Sequence, residues 1–564
     1  MDKQPTTADN QIDLEQCSIA HSTDRLPSTE KDAEYLASWQ LFIVISSLCL
    51  GTLLVAIDTT IIAVAVPKIS TSFRAFDDIQ WYGSAYLLTV TALQPAFGSV
   101  YRYFSAKNVY LLSILLFEVG SVLCAAAPSS TVFICGRALA GVGAAGLYQG
   151  ALTIVGLTVR LEKRPLYLGI VLSVFGVAVC FGPPLGGVFT DHATWRWCFW
   201  INLPIGAIST ALIIPFLNLK RQQEELNMPF MAKLRKLDIL GITTIISAVT
   251  CLILALQWGQ ETGSWGQSRV VGCFVGAGLL TIAFGLIQWR KGSSATIPLN
   301  ILRQRSIMMG AWYLFFLEMA IYVDLFYIPF YFQSAQLISA TMSGVKAIPL
   351  GLAQVIAIVI VGALVSRFGQ YVPFMVLGQI ISIVGTVLLT RIYINTRYIL
   401  VAIYLVISGV GFGMGLQMPF TGVQTVLSND EIPVGNAIMV FFSQLGATIA
   451  IAIAQSVFST SLKRDIKHKM ETTSSPKFQR LEPGIVIAAG PTGLKSFAFD
   501  EEILSFLQQC YATGVKNTLY VALAASVVAI PFALGMQWLN VKKSAREKMS
   551  AQDLGTGTTE KVVA

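Results

Sequence analysis

The chain has 564 residues, 54% of them hydrophobic and 12% charged, about half the charged fraction of a soluble domain. This excludes an ordinary soluble globule and predicts an all-α polytopic membrane protein, because apolar runs of about twenty residues, enough to cross a bilayer at 1.5 Å per residue, recur along nearly the whole chain. The net charge of +8 does not point to nucleic acid, since the Lys and Arg residues fall in short loops between apolar runs and form no single patch with aromatics.

Residues 1–38 are polar, rich in Ser, Thr, Asp and Glu, and lack the apolar stretch of a cleavable signal; a disordered cytoplasmic tail is expected there. Six spans follow, near Trp39–Val66, Ile79–Val100, Asn108–Ala127, Thr131–Leu157, Pro165–Phe189 and Trp195–Leu217, and make an N-terminal half over 39–217. The linker, 218–305, opens with the charged run Lys220–Asp238 and adds spans near Ile239–Trp258 and Arg269–Trp289. A C-terminal half over 306–539 reads as Ser306–Phe332, Ser343–Val365, Tyr371–Ile392, Tyr398–Phe420, Pro433–Phe458 and Lys516–Leu539. A long extracellular loop is expected over 460–515 and a cytoplasmic tail over 540–564. The sum is a plan of about fourteen spans, six plus two plus six.

Basic residues set the orientation. Arg102, Lys107, Arg160, Lys163, Arg164, Lys220, Arg221, Lys233, Arg235, Lys236, Arg290, Lys291, Arg303, Arg305, Arg367, Lys542, Lys543, Arg546 and Lys548 share one side, against Lys68, Arg74, Arg196, Arg269, Lys346, Arg391 and Arg397 on the other. That asymmetry, roughly two to one or more, places the basic side and both termini in the cytoplasm. The nine cysteines form no C-x-x-C pair, and His21, His192 and His468 are scattered, so neither a disulfide framework nor a metal site is expected. No cofactor is expected either. Gly141, Gly143 and Gly146 match G-x-G-x-x-G but sit inside a span, where close helix packing is the better reading, and no G-x-x-x-x-G-K-[ST] supports an ATP-driven pump.

An internal repeat links the two halves. G-S-V-Y-R-Y-F-S (Gly98 to Ser105) closes the second span and G-A-L-V-S-R-F-G (Gly362 to Gly369) the tenth; G-V-G-A-A-G-L-Y-Q (Gly141 to Gln149) in the fourth matches G-V-G-F-G-M-G-L-Q (Gly409 to Gln417) in the twelfth. Parallel repeats of six helices point to a transporter with its substrate site between the halves, near mid-membrane.

A-I-D-T-T-I-I-A-V-A-V-P (Ala56 to Pro67), W-Y-G-S-A-Y-L-L-T (Trp81 to Thr89), G-R-A-L-A-G-V-G-A-A-G (Gly136 to Gly146), G-V-A-V-C-F-G-P-P-L-G-G (Gly176 to Gly187) and W-R-W-C-F-W-I-N-L-P-I-G (Trp195 to Gly206) span most of the first half. Together they resemble the fourteen-span drug:proton antiporters of the major facilitator superfamily, especially fungal pumps for toxins and drugs. The second half matches more loosely, through Val440 to Gly446 and Ile453 to Phe458. The resemblance implies proton-coupled export of a small, largely apolar organic compound by alternating access, by a non-enzyme in the plasma membrane, or otherwise a vacuolar or vesicular one. A monomer is expected, with the bilayer, protons and a small molecule as its partners. Uptake of an iron-chelating metabolite and a non-transporting sensor are the alternatives. The resembled family's loop after the second span carries G-x-L-x-D-R-x-G-R-K. Here Arg102 replaces the acid and Ser105 the second Gly, whereas Gly362, Leu364, Arg367 and Gly369 keep most of the pattern in the second half.

Ionisable groups inside spans are costly and usually functional. Asp58 and Arg137 lie at depths of about 9–12 Å from the outer ends of spans one and four, where they can meet. Arg137 occupies the position that the resemblance implicates in proton coupling; Asp58 is then the proton carrier and Arg137 sets its affinity, the alternative being a static pair that fixes packing. Glu118, near mid-membrane in span three, is a further coupling candidate or a fixed hydrogen-bonding group. Glu318 and Asp324 lie on different faces of span nine, so one of them is expected in the cavity. Tyr86, Gln94, Tyr148, Gln149, Tyr313, Tyr322, Gln354, Gln417 and Gln444 are candidates to line it. Gly98, Arg102, Gly362, Arg367 and Gly369 form the gating loops. Gly176, Gly182, Gly186 and Gly187 are expected to pack tightly against a helix of the other half, with Pro183 and Pro184 bending the outer end, and the resemblance associates this element with antiport.

Overall fold

The computed structural model describes residues 38–75, 78–217, 219, 229–262, 264–472, 486, 500–548 and 550. Residues 1–37 and 551–564 of the expected tails, residues 220–228 of the charged linker and most of 473–499 lie outside the described residues. Apart from a single bridge between Gln370 and Asn540, the regular structure described is helical, as a chain in lipid must be when each backbone group has to find its partner within its own segment.

The first half comprises α1 (Ser38–Phe73), α2 (Ile79–Tyr103), α3 (Ala106–Ala125), α4 (Ser130–Thr158), α5 (Arg164–His192), α6 (Trp197–Trp200) and α7 (Asn202–Phe216). The linker holds α8 (Phe230–Lys236), α9 (Ile239–Thr262), α10 (Ser268–Lys291) and the short α11 (Leu299–Leu302). The second half comprises α12 (Arg305–Ser334), α13 (Ala340–Phe368), α14 (Val372–Leu389), α15 (Tyr398–Leu416), α16 (Met418–Val426), α17 (Ile432–Thr472) and α18 (Glu501–Gly535). Two spans are broken in the same manner. α6 gives way to α7 just ahead of Pro204, and α15 to α16 just ahead of Pro419; each proline sits in the first turn of the new helix, where its missing N–H costs nothing.

Thirteen helical segments among the described residues are long and apolar enough to cross a membrane. The second expected span, α2, is not among them although it runs for 25 residues. Its buried face carries Tyr82, Tyr86, Thr91 and Gln94, polarity suited to a helix that looks into the protein. Other boundaries move too. α1 continues through Pro67 to Phe73. The connection expected over 460–515 is helical at both ends, through Thr472 and from Glu501, with Leu462, Ile466, Ile503, Leu507 and Tyr511 buried. Hydropathy detects apolarity, and these amphipathic extensions are helical without being uniformly apolar.

The repeat is realised in the packing. α5 lies along α13 and α2 along α17, so the second helix of each half packs on the fifth of the other. α9 covers the α2–α17 crossing through Ile245, Val249 and Ile253, against Ala92 and Phe441. α10 packs on α9 and presents Leu279, Ile282, Leu286 and Trp289 outward, an apolar surface suited to lipid. The helix pair is anchored by Asp238. Its carboxylate accepts from Gly241 N at 2.8 Å, capping α9, from Gln288 Nε2 at 2.9 Å and Thr296 Oγ1 at 3.2 Å, and pairs with Lys291 at 2.8 Å. Burial works to raise the Asp238 pKa, but these donors outweigh it and hold the carboxyl below its ordinary value.

Candidate functional site

Asp58 and Arg137 form an ion pair, Nη1 to Oδ2, at 2.6 Å, with side chains 0% and 1% exposed. α1 and α4 bring them together, and α2 and α6 add to the enclosure. Arg137 Nε donates to Tyr82 O at 2.9 Å, and its guanidinium lies 4.4 Å from the centre of the Tyr86 ring and 5.8 Å from that of Phe199. Cation–π contact is strongest where water is excluded. Among the described residues Asp58 Oδ1 has no hydrogen-bond partner, so half of the carboxylate stays unsatisfied beside a fixed cation.

Glu118 faces elsewhere. Both its oxygens are buried without a partner, against Gly206 of α7, although Asp58 is within its electrostatic reach. Glu318 lies between the halves. It accepts from Ser443 Oγ at 3.1 Å and is within electrostatic reach of Tyr322 on its own helix and of Tyr148 on α4. Tyr148 stacks edge-on against Phe175 with ring centres 5.3 Å apart. Glu318, Tyr148 and Tyr322 are all only half-buried. The structure brings Glu318, Tyr322 and Tyr148 within electrostatic reach of one another beside the Phe175 ring, one carboxyl and two phenols next to aromatic surface, a makeup that suits a mostly apolar organic molecule oriented through a few polar groups; Gln354 and Gln444 are half-buried on α13 and α17.

The remaining cavity candidates are enclosed. Tyr86 supports Arg137, and Gln94 is fully buried with both amide ends unpartnered. Tyr313 donates to Met375 O at 3.5 Å inside the second half. Gln149 and Gln417, matched by the repeat, sit at the two crossings. Gln149 Nε2 donates to Pro433 O of α17 at 2.5 Å; Gln417 donates to Ile358 O at 3.0 Å, with its Oε1 packed on Gly169 of α5. Asp324 is wholly buried, and neither of its carboxyl oxygens has a partner.

The gating segments lie at the same basic end. A Cβ on Gly98 would collide with Ala437 of α17, and one on Gly362 would come within 2.7 Å of Pro165 O of α5, so each glycine permits one crossing. Leu166 N donates to Ser366 Oγ at 3.2 Å between the halves. Arg102 and Arg367 lie over the rings of Tyr103 and Phe368. Gly369 ends α13 at φ 81°, a left-handed conformation that favours glycine, whereas its counterpart Ser105 stands at φ −57°. The departure at Ser105 therefore reflects a different helix ending. Gly369 also receives the C-terminal segment: Val541 N donates to Gly369 O at 2.9 Å. Farther along that segment, Lys548 Nζ donates to Leu427 O at 2.8 Å, and burial, reinforced by the charge of Arg164, lowers its pKa to about 8.

The glycine–proline element divides its contacts. Gly176 and Gly187, eleven residues apart and so on one helix face, look at Val355 and Thr341 of α13 in the other half. Gly182 and Gly186 look instead at Thr60 and Ile61 of α1 in their own half. The expectation that all four pack across the halves is thus corrected by helical periodicity. α5 runs unbroken through Pro183 and Pro184. Sequence reasoning missed Tyr82, Phe199 and Ser443; Tyr82, one turn before Tyr86 on the same face, carried a readable spacing signal, whereas the other two carried none.

The sequence profile of the Major Facilitator Superfamily matches residues 48–451. The chain is 39% identical over 517 residues to the "MFS-type efflux pump MFS1" of Arthroderma benhamiae, covering 92% of this chain and 95% of that one. It is 38% identical over 535 residues to the "Aspyridones efflux protein" of Neocamarosporium betae, covering 94% and 93%, and 35% identical over 512 residues to "Efflux pump aflT" of Aspergillus parasiticus, covering 91% and 98%. Among solved structures, the proton:xylose symporter XylE aligns with a TM-score of 0.54 at 16% identity, over 90% of this chain and 99% of that one. The human organic anion transporter MFSD10 aligns with a TM-score of 0.53 at 13% identity, over 86% and 99%. At these identities the two structures bear on the fold alone.

Proposed function

The chain belongs to the Major Facilitator Superfamily, and on that premise we propose that it is a proton-coupled antiporter that exports a small, largely apolar organic compound, a toxin, secondary metabolite or drug. The observation that carries the coupling is the sealed Asp58–Arg137 pair with one free carboxylate oxygen. Relatives of near-equal length bear the names of efflux pumps, which supports export over uptake.

In this reading the basic end is cytoplasmic, and the crossings at Gly98, Gln149 and Gly362 close the cytoplasmic side. Substrate occupies the space lined by Tyr148, Glu318, Tyr322, Gln354 and Gln444. Protonation of Asp58 weakens its hold on Arg137, and α1, through its Thr60–Gly182 contact, passes that change to α5 and so to the other half. Glu118, within reach of Asp58, tunes the pair from the α3 side. The protein works as a monomer in the plasma membrane. No nucleotide is consumed; the inward proton gradient drives the cycle.

The test is reconstitution of the full chain in lipid vesicles with an imposed proton gradient and a panel of lipophilic compounds that includes rhodamine 6G. Gradient-dependent accumulation that Asp58→Asn abolishes is expected. Full gradient-driven accumulation by Asp58→Asn would overturn the coupling role, and an absence of substrate-dependent proton movement across the panel would favour a sensor.

A further inference from the structure

The repeat that matches α2 with α13 and α4 with α15 also matches α1 with α12, and it sets Asp324 in the place of Asp58. Asp58 stands 20 residues after the first residue of α1 and Asp324 stands 19 after that of α12, and both are fully buried. Arg137 lies seven residues after the start of α4 and Leu405 seven after that of α15; Leu405 is also buried. The second half repeats the acid without its cation.

The surroundings of Asp324 follow from helix register. Tyr313 Oη donates to Met375 O of α14 and Tyr331 Oη to Tyr393 O just beyond it, each across 62 positions, so Thr386 stands at the level of Asp324, while the helices packed most extensively on α12 are α17 and α18. Leu317, two turns below Asp324 on the same face, packs toward Gly415 of α15. Since α15 runs antiparallel to α12, Ser408 lies one heptad up from that contact, and its hydroxyl meets Gly385, the neighbour of Thr386. Asp324, Thr386 and Ser408 are each 0% exposed, and among the described residues none of their side-chain oxygens has a hydrogen-bond partner.

Among the described residues, the surrounding helices bring no compensating charge. α14 and α16 contain no ionisable residue. α15 contributes only Tyr398 and Tyr404, and α13 only Lys346 and Arg367 near its two ends. The ionisable residues of α17 begin at Lys463, and those of α18 are Glu501, Glu502, Cys510, Tyr511, Lys516 and Tyr520. On α12 itself Glu318 sits on another face, and Tyr327 donates to Gln455. An ionised carboxylate sealed without a partner is strongly unfavourable, so the enclosed group is neutral.

We propose that Asp324 is a second proton-carrying site, enclosed in the C-terminal half, loaded in this conformation and emptied when the helices packed on α12 move apart. This deepens the export reading and rests on it: Asp58 and Asp324 each carry one proton, and none is consumed.

Infrared difference spectroscopy of the purified full chain in lipid, titrated from acid to alkaline pH, tests this without a substrate. A protonated-carboxyl band that persists at neutral pH, survives Asp58→Asn, disappears in Asp324→Asn and shifts in Asp324→Glu is expected. A band unchanged in either Asp324 variant overturns the proposal. In vesicles under a proton gradient, Asp324→Asn should lose rhodamine 6G accumulation and Asp324→Glu should recover part of it; accumulation by Asp324→Asn equal to that of the unmodified chain overturns the proposal as well. If the unmodified chain accumulates no dye, the export reading fails for this probe and the infrared bands still decide Asp324.

Discussion

Arg137 is held on four sides, by Asp58, Tyr82 O, Tyr86 and Phe199, and this makes the pair sensitive to loss of either charge. Breaking a buried pair by removing one partner costs about 3–5 kcal/mol, because the other charge remains enclosed and uncompensated. Asp58→Asn should therefore lower the thermal unfolding midpoint of the purified protein as well as its gradient-driven export. The double variant Asp58→Asn with Arg137→Leu, which reproduces the cation-free arrangement found at Leu405, should recover part of the stability and none of the export. A double variant no more stable than the single one would count against the uncompensated charge as the cause. The sequence made Asp58 and Arg137 legible because ionisable groups in apolar helices are rare. It could not show that Oδ1 is left free, since that depends on where Tyr82 and Tyr86 place the guanidinium.

At the scale of elements, α5 is the joint between the Asp58–Arg137 pair and the partner half. Its Gly182 face touches Thr60, two residues beyond Asp58, and its Gly176 face touches Val355 of α13. Gly182→Val should displace α1 and impair export chiefly through a changed pH dependence of transport. Gly176→Val should instead force α5 from α13 and slow export with the pH profile unmoved. Transport rate measured against pH in vesicles separates the two; the same profile in both variants would mean that the faces are not distinct. The G-x-x-x-x-x-G-P-P-x-G-G spacing announced a closely packed helix. Which glycine meets which neighbour was hidden, because the 100° step between residues sorts them only once the flanking helices are placed.

Across the whole molecule, the halves are joined at the basic end by the Gln149–Pro433 and Leu166–Ser366 hydrogen bonds and by the two glycine crossings. Gln149→Ala should loosen this closure, and spin labels at Lys163 and Glu431 should then show a longer mean separation; an unchanged distance distribution would remove Gln149 from the gate. The C-terminal segment bears on the same closure through Lys548. Its pKa of about 8 lies below the ordinary 10.5, so between these values the undocked segment holds a proton that the docked one has lost, and docking strengthens as pH rises. Amide exchange of residues 541–548, corrected for the intrinsic effect of pH, should slow over that interval, and Lys548→Met should abolish the dependence.

The sequence by itself determined the all-helical membrane class, the positions of most spans, the two-fold repeat and the identity of the buried acids and Arg137, because lipid forces each span to be apolar and makes every exception conspicuous. Only the tertiary structure decided how those exceptions are used. Asp58 has a cation and Asp324 none; Gln149 and Gln417 tie the crossings, while Tyr148 and Glu318 approach each other across the halves. These outcomes depend on helix rotation and register between segments hundreds of residues apart, and hydropathy along one strand of sequence carries no information about either.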